Sequence, residues 1–386
     1  MTNGVQKEKI ISLNFMALFG AIFFLFFALD YYIPILPFYV LDTGGNEASV
    51  GLLMGLFTFC SIVLRPFQGR DINHRGRKRL LVMGISLYAA AGLGLLFLPP
   101  LPLLFMLRAV QGFGWGAFLL AFNTLTLDLA PPGRRGEVVG LMGIAPPFSL
   151  ATAPIIGEYF RITTESNYVI LFAVASVAAL IAMLLGSLVR EPSRDRSGEG
   201  GSPLFSRKVL LPSLIIFCMT FTLGAILTFL PLFGEVRNIQ AVGYFFTVFA
   251  LTTMFSRPAA GRLSDHFGRP KVFLPALVVA AAALIMIASA ATEAQLILSA
   301  FILGLGFGAA HSSVMAMAAD RLQVMERGIG MATFTSAFDL GIVAGSVTLG
   351  VLLRWFDFSA LFVLCAVIML APLLGNLIKQ KMRVSA

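Results

Sequence analysis

Charge is what this 386-residue chain has least of. Lys, Arg, Asp and Glu make up 12% of it against 58% hydrophobic residues, and the mean hydropathy is +0.90. Soluble proteins carry about 25% charged and about 45–50% apolar residues, so soluble enzymes, DNA-binding domains and secreted modules are excluded. Cysteine is scarce too. Cys60, Cys218 and Cys365 each lie inside an apolar run, at spacings that suit neither a disulfide framework nor a metal site. Alternating ten-residue segments are missing, which excludes a transmembrane barrel. No Gly-x-x-x-x-Gly-Lys loop occurs, so an ATP-driven pump is unsupported. The net charge of +9 is spread over short loops rather than gathered on a soluble domain, so no nucleic-acid partner is expected. No cofactor is implied, and the bilayer is the solvent.

What is present is a series of apolar runs that read as twelve helices, because lipid cannot satisfy open backbone groups. Their expected spans are 12–40, 48–68, 79–98, 102–127, 137–158, 167–189, 209–234, 241–260, 271–290, 294–319, 329–353 and 358–378. Lys7 and Lys9 precede the first run, which is too long for a signal peptide and is read as an uncleaved span. With the N-terminus inside, the inner loops and tails carry 22 of the 28 Lys and Arg residues, and the outer loops carry Arg161, Arg237 and Arg354. The positive-inside rule therefore puts both termini in the cytoplasm, and a plasma (inner) membrane location is expected. The stretch 191–208, rich in Ser, Gly and charge, reads as a cytoplasmic linker between a bundle of residues 1–190 and a second of residues 209–386. A monomer is expected.

The halves repeat. RPFQGRDINHRGR (65–77) and RPAAGRLSDHFGR (257–269) share seven of thirteen positions at an offset of 192. The same offset pairs Gly112, Gly114 and Gly116 with Gly304, Gly306 and Gly308, and Asp128 with Asp320. Parallel repeats of six spans are a transporter architecture.

These residues resemble the major facilitator superfamily. GRLSDHFGRPK (261–271) is similar to its signature Gly-x-Leu-x-Asp-(Arg)-x-Gly-Arg-(Lys/Arg), and GRDINHRGRKR (69–79) departs from it with Asn73 in place of Asp. RAVQGFGWGA (108–117) resembles the family's Arg-x-x-Gln-Gly-x-Gly-x-x-Ala element. ATAPIIGE (151–158) is a degenerate form of the Gly-Pro-x-x-Gly-Gly element of antiporters, with Ala153 for its first Gly and Glu158 for its last. The resemblance covers the whole chain and implies an all-α fold of twelve transmembrane helices in two pseudo-symmetric six-helix bundles. It implies a secondary transporter of small molecules coupled to protons, closest to drug:proton antiporters that export drugs, metabolites or metal-chelating compounds. A proton symporter importing a solute, and a receptor or lipid-handling scaffold on the same fold, are the alternatives.

Three intramembrane charges stand out as proton-coupling candidates. Arg108 lies about six residues into its span, where a charge costs about 2.5–3.5 kcal/mol and should face a partner in the bundle, or snorkel to the surface. Asp30 sits in ALDYYIPILP, and its repeat position, with Leu36-Pro37 aligned on Leu230-Pro231, is Gly224. It is either a proton carrier or a structural partner of Arg108. Asp339, in SAFDLGIVAG, lies too deep to snorkel. Tyr31, Tyr32, Gln111, Phe113, Trp115, Phe221 and His311 are the substrate-binding candidates. Gly69, Asn73, Gly76 and Arg77, with Gly261, Asp265, Gly268 and Arg269, are read as a conformational latch on the inner rim, in which the glycines form tight turns and an acid pairs with rim arginines. Glu158 and Arg161 are read as a solvated pair.

Overall fold

A computed structural model describes residues 12–63, 76–129, 138, 141–191, 206–240, 242–323 and 327–384. Gly69, Asn73 and most of the linker lie outside them. The helices are α1 (Leu13–Tyr31), α2 (Leu36–Asp42), α3 (Glu47–Val63), α4 (Arg77–Leu95), α5 (Leu101–Asp128), α6 (Ala145–Thr163), α7 (Tyr168–Leu188), α8 (Leu210–Val236), α9 (Val242–Phe267), α10 (Arg269–Ala288), α11 (Glu293–Ala319), α12 (Arg327–Leu352) and α13 (Phe358–Val384). The described residues contain no strand. α1 and α2 form one broken rod, so the described residues make twelve rods, and eight of these are long and apolar enough to cross a membrane by length and composition alone.

Four expected boundaries are corrected, one of them being the end of α13, which runs to Val384 rather than 378. The first span does not run unbroken to residue 40. Pro34 has no amide hydrogen and biases Ile33 away from helix, so the chain turns through 32–35 before Leu36 restarts it. The fifth rod, α6, ends at Thr163 rather than 158. α9 continues to Phe267 rather than 260, which carries Gly261 and Asp265 on a helix and not in a loop. Only Gly268 turns the chain there, at φ +93°, as Gly76 does at φ +92° in the first half. That left-handed backbone is why glycine occupies both positions.

α1 packs on α6 and α7, and α4 and α3 pack on α5. In the second half α8 packs on α12 and α13, and α10 and α9 pack on α11. Two seams join the halves, α3 against α12 and α6 against α9. Both are tight at the end of the bundle remote from the linker. There a Cβ at Gly51 would strike the Ser346 carbonyl, and one at Gly243 would strike Ile155 and Glu158. At the linker end the last turns of α9 are exposed, Leu263 and Phe267 included.

Candidate functional site

The small residues of α5 position the site. Gly112 and Gly116 let α5 touch the backbone of α3 at Phe57 and Ser61, and Gly114 lets it touch α4 at Gly84. These contacts press one face of α5 into the first bundle. Arg108, Gln111 and Trp115 share that face at spacings of three and four, and all three are buried. Phe113 projects from another side of the helix and is half-buried.

Arg108 is 1% exposed, so it does not snorkel. Its Nη1 donates to Gln111 Oε1 at 2.8 Å, and Nη2 lies 3.8 Å from Met54 Sδ. The guanidinium carbon sits 4.3 Å from the centre of the Phe57 ring and 5.7 Å from that of Tyr32, a cation–π arrangement. Trp115 closes the wall, packed edge-on to Phe26 at 4.7 Å and tilted against Tyr88 at 6.2 Å.

Asp30 is buried at the end of α1 and accepts a 2.6 Å hydrogen bond from Ser149 Oγ of α6. It makes no ion pair with Arg108. The structural pairing considered from sequence is absent because Ser149 and Gln111 take up the two groups separately. Tyr31 and Tyr32 are both buried; as neighbours in sequence they diverge, Tyr31 stacking on Phe27 and Tyr32 meeting Phe172 of α7.

The second half contributes a different lining. His311 of α11 is half-buried between Phe307, 6.2 Å away, and Phe338 of α12, 5.8 Å away. Asp339 follows Phe338 in sequence and is half-buried. Phe221 of α8 is buried, and its backbone packs against Gly345 of α12.

Glu158 is not solvated. Because α6 runs on beyond it, its carboxylate is buried in the α6–α9 seam and accepts the Gly243 amide of α9 at 2.5 Å. Thr247 Oγ1 donates to the Ala151 carbonyl at 2.5 Å across the same seam. Arg161 instead stacks on Phe38 at 4.1 Å and bonds Glu235 of the other half at 3.2 Å. A cavity of about 210 Å³, lined by Pro34, Phe38, Glu158, Arg161 and Glu235 among others, overlies this contact.

At the linker end, Arg269 bonds Asp320 at 2.9 Å and pairs with Asp265. Arg77 pairs with Asp128. Arg77–Asp128 and Arg269–Asp320 are the same pair 192 residues apart, and each stays within its own half. Asp128 and Asp320 are visible in the repeat, yet nothing in the sequence said what they hold. Ser149, Tyr88 and Ser176 were missed for a different reason: a lone hydroxyl in an apolar run most often bonds its own helix.

The model of the Major Facilitator Superfamily matches residues 18–245 and 238–378. A multidrug resistance protein MdtG of Enterobacter lignolyticus is 26% identical over 87% of this chain and 85% of its own length. The staphylopine export protein of Staphylococcus aureus is 23% identical over 88% and 89%. Among solved structures, a point mutant of the nucleoside transporter NupG superposes with a TM-score of 0.79 at 12% identity, covering 94% of this chain and 98% of that one. A bacterial homologue of the lysosomal transporter Spinster, in an inward-facing and unoccupied conformation, gives 0.74 at 14% identity over 95% and 94%. Twelve helical rods in a duplicated arrangement, matched from end to end by this family, make the chain a multi-pass membrane transporter rather than an enzyme, and it belongs to the Major Facilitator Superfamily.

Proposed function

We propose that the chain is a proton-coupled antiporter that exports small amphipathic molecules by alternating access. The observation that carries this reading is Asp30, a buried carboxylate held by a neutral hydroxyl and paired with no cation among the described residues. A carboxylate in such a setting can change its protonation state during a transport cycle, because no fixed cation locks its charge in place. Its repeat position is Gly224, so the scaffold does not require it. The two relatives named for multidrug resistance and staphylopine export support the outward direction.

In this mechanism residues 1–190 and 209–386 rock about the central site, joined by the linker 191–208. With both termini in the cytoplasm of a plasma-membrane protein, the tight seams lie outside and the described state faces inward. Substrate enters between Trp115 and Tyr32 on one side and His311, Phe221 and Asp339 on the other. Proton arrival at Asp30 from outside follows substrate release. The inner rim around Asp265 and Arg269 acts as the latch when the inner side closes. The protein works as a monomer on this reading.

The test is transport by the purified protein in proteoliposomes under an imposed pH gradient, with a panel of dye-like cations, zwitterions and acids. Accumulation on the acidic side supports antiport. Uptake with the proton would make it a symporter, and no movement under any gradient would make it a non-transporting scaffold.

A further inference from the structure

Arg108 is a permanent charge with no carboxylate partner among the described residues, and it stands among other buried donors that also lack partners. Arg108 Nε, Gln111 Nε2, the Tyr88 hydroxyl and the Ser176 hydroxyl are all inaccessible to solvent and unbonded. The Tyr88 hydroxyl lies beside the guanidinium. The groups come from three helices: Arg108 and Gln111 from α5, Tyr88 from α4 and Ser176 from α7. Two of them, Gln111 Nε2 and Ser176 Oγ, meet at Gly92 of α4, and Arg108 joins the set through its bond to Gln111. A Cβ built there would lie 3.5 Å from Ser176 Oγ, 3.6 Å from the Tyr32 hydroxyl and 3.7 Å from Gln111 Nε2, with nothing nearer. A missing side chain thus leaves space between polar atoms of three different elements.

The charge of the set is one-sided. Arg108 Nε and Gln111 Nε2 can only donate, and the hydroxyls can donate or accept. A water molecule could satisfy some of them but would not balance the guanidinium. An ionised carboxylate has two oxygens with about four lone-pair sites, which matches this donor set in number and in sign. The aromatic walls, Phe57, Tyr32 and Trp115, suit an apolar body behind the head group.

We infer that Arg108, Gln111, Tyr88 and Ser176 form a carboxylate-binding subsite around Gly92, so that the transported molecule is an amphipathic acid or zwitterion. The inference rests on the transport reading above and names the substrate class. An internal occupant is disfavoured because Asp30 is already held by Ser149 on α6.

The chain carries its own reporter. It has two tryptophans, Trp115 at the subsite and Trp355, which is exposed. In full-length W355F protein in nanodiscs, Trp115 emission is titrated with 4-phenylbutyrate, 4-phenylbutyramide and 4-phenylbutylamine. Saturable binding of the acid about tenfold tighter than the amide is expected, the size of a buried hydrogen bond to a charged group. Arg108→Gln should erase that preference and Arg108→Lys should keep part of it. Gly92→Ala places a methyl at ordinary contact distances, so the fold is retained, yet it fills the space between the donors and should weaken acid binding several-fold. Equal or absent binding of acid and amide overturns the inference. So does an undiminished acid preference in folded Arg108→Gln or Gly92→Ala protein. No proton gradient is present, and Asp30→Asn should keep the acid preference, so failure of proton coupling and failure of the subsite are read separately.

Discussion

Where the first half buries Arg108 and Gln111 in α5, the second half buries Ala300 and Leu303 at the same positions of α11. Where α1 carries Asp30, α8 carries Gly224, whose missing side chain lets α8 touch the Ile342 carbonyl. Two aromatic positions of the site are shared, since Trp115 corresponds to Phe307 and Phe57 to Phe249. Duplication therefore preserved the packing while the polar groups diverged, with Asp30, Arg108 and Gln111 on the first copy and Asp339 on the second, opposite Pro147. The seams differ in the same way. At the α6–α9 seam Glu158 binds the Gly243 amide. The corresponding pair at the α3–α12 seam is Gly350 and Gly51, and a Cβ at Gly350 would lie 3.2 Å from the Gly51 Cα. One seam is closed by hydrogen bonds and its counterpart by backbone contact. A polar closure can be changed by altering one group, whereas a steric one is insensitive to charge.

The largest effect should come from exchanging the α5 and α11 positions. Arg108→Ala is expected to abolish transport with the protein still folded, because the bundle loses a buried charge rather than gaining one. Ala300→Arg should be the more damaging to stability, by about 3–5 kcal/mol, since it buries a charge with no partner. Proteoliposome flux and thermal unfolding in detergent separate the two. If Ala300→Arg is as stable as the wild type, the second half tolerates charge and the contrast fails.

Asp30→Asn comes next. The amide keeps the size and the bond to Ser149, so stability should change by only about 1 kcal/mol while gradient-driven transport is lost. Counterflow without a gradient should persist. Undiminished accumulation against a gradient would remove Asp30 from the coupling role.

At the seams, Glu158→Ala leaves the Gly243 amide buried without an acceptor, a cost of about 1–3 kcal/mol. It should shift the population toward opening at the end remote from the linker, and Glu158→Gln, which retains an acceptor, should shift it less. Gly350→Ala should open the opposite seam by collision with Glu47 and Phe229. Spin-label distances across each seam measure both. Equal distributions for Ala and Gln at position 158 would mean that the hydrogen bond does not hold the seam.

The smallest effect is expected at the rim. Asp265→Asn removes one partner of Arg269, but Asp320 still holds it, and an exposed pair is worth about 0.2–1 kcal/mol. A modest shift toward the inward-facing state, and the reverse for Asn73→Asp, would be visible in cysteine accessibility. No change for either substitution would leave the motif as a topological device.

The sequence by itself determined the class of solvent, the number of rods, the duplication and the rank of Arg108 and Asp30 as unusual residues. Hydropathy and repeats are local or periodic, and a charge in an apolar run is conspicuous wherever the run folds. Only the tertiary structure decided which groups meet. It separated Asp30 from Arg108, because the partner of each is a neutral residue, Ser149 or Gln111, that hydropathy cannot distinguish from filler. It moved Glu158 from a helix end into a seam, because α6 continues for another turn beyond it. It also gathered Tyr88, Ser176 and Gly92 around Arg108. Their significance lies in the convergence of three helices, a property of the packing of α4, α5 and α7 and of no segment alone.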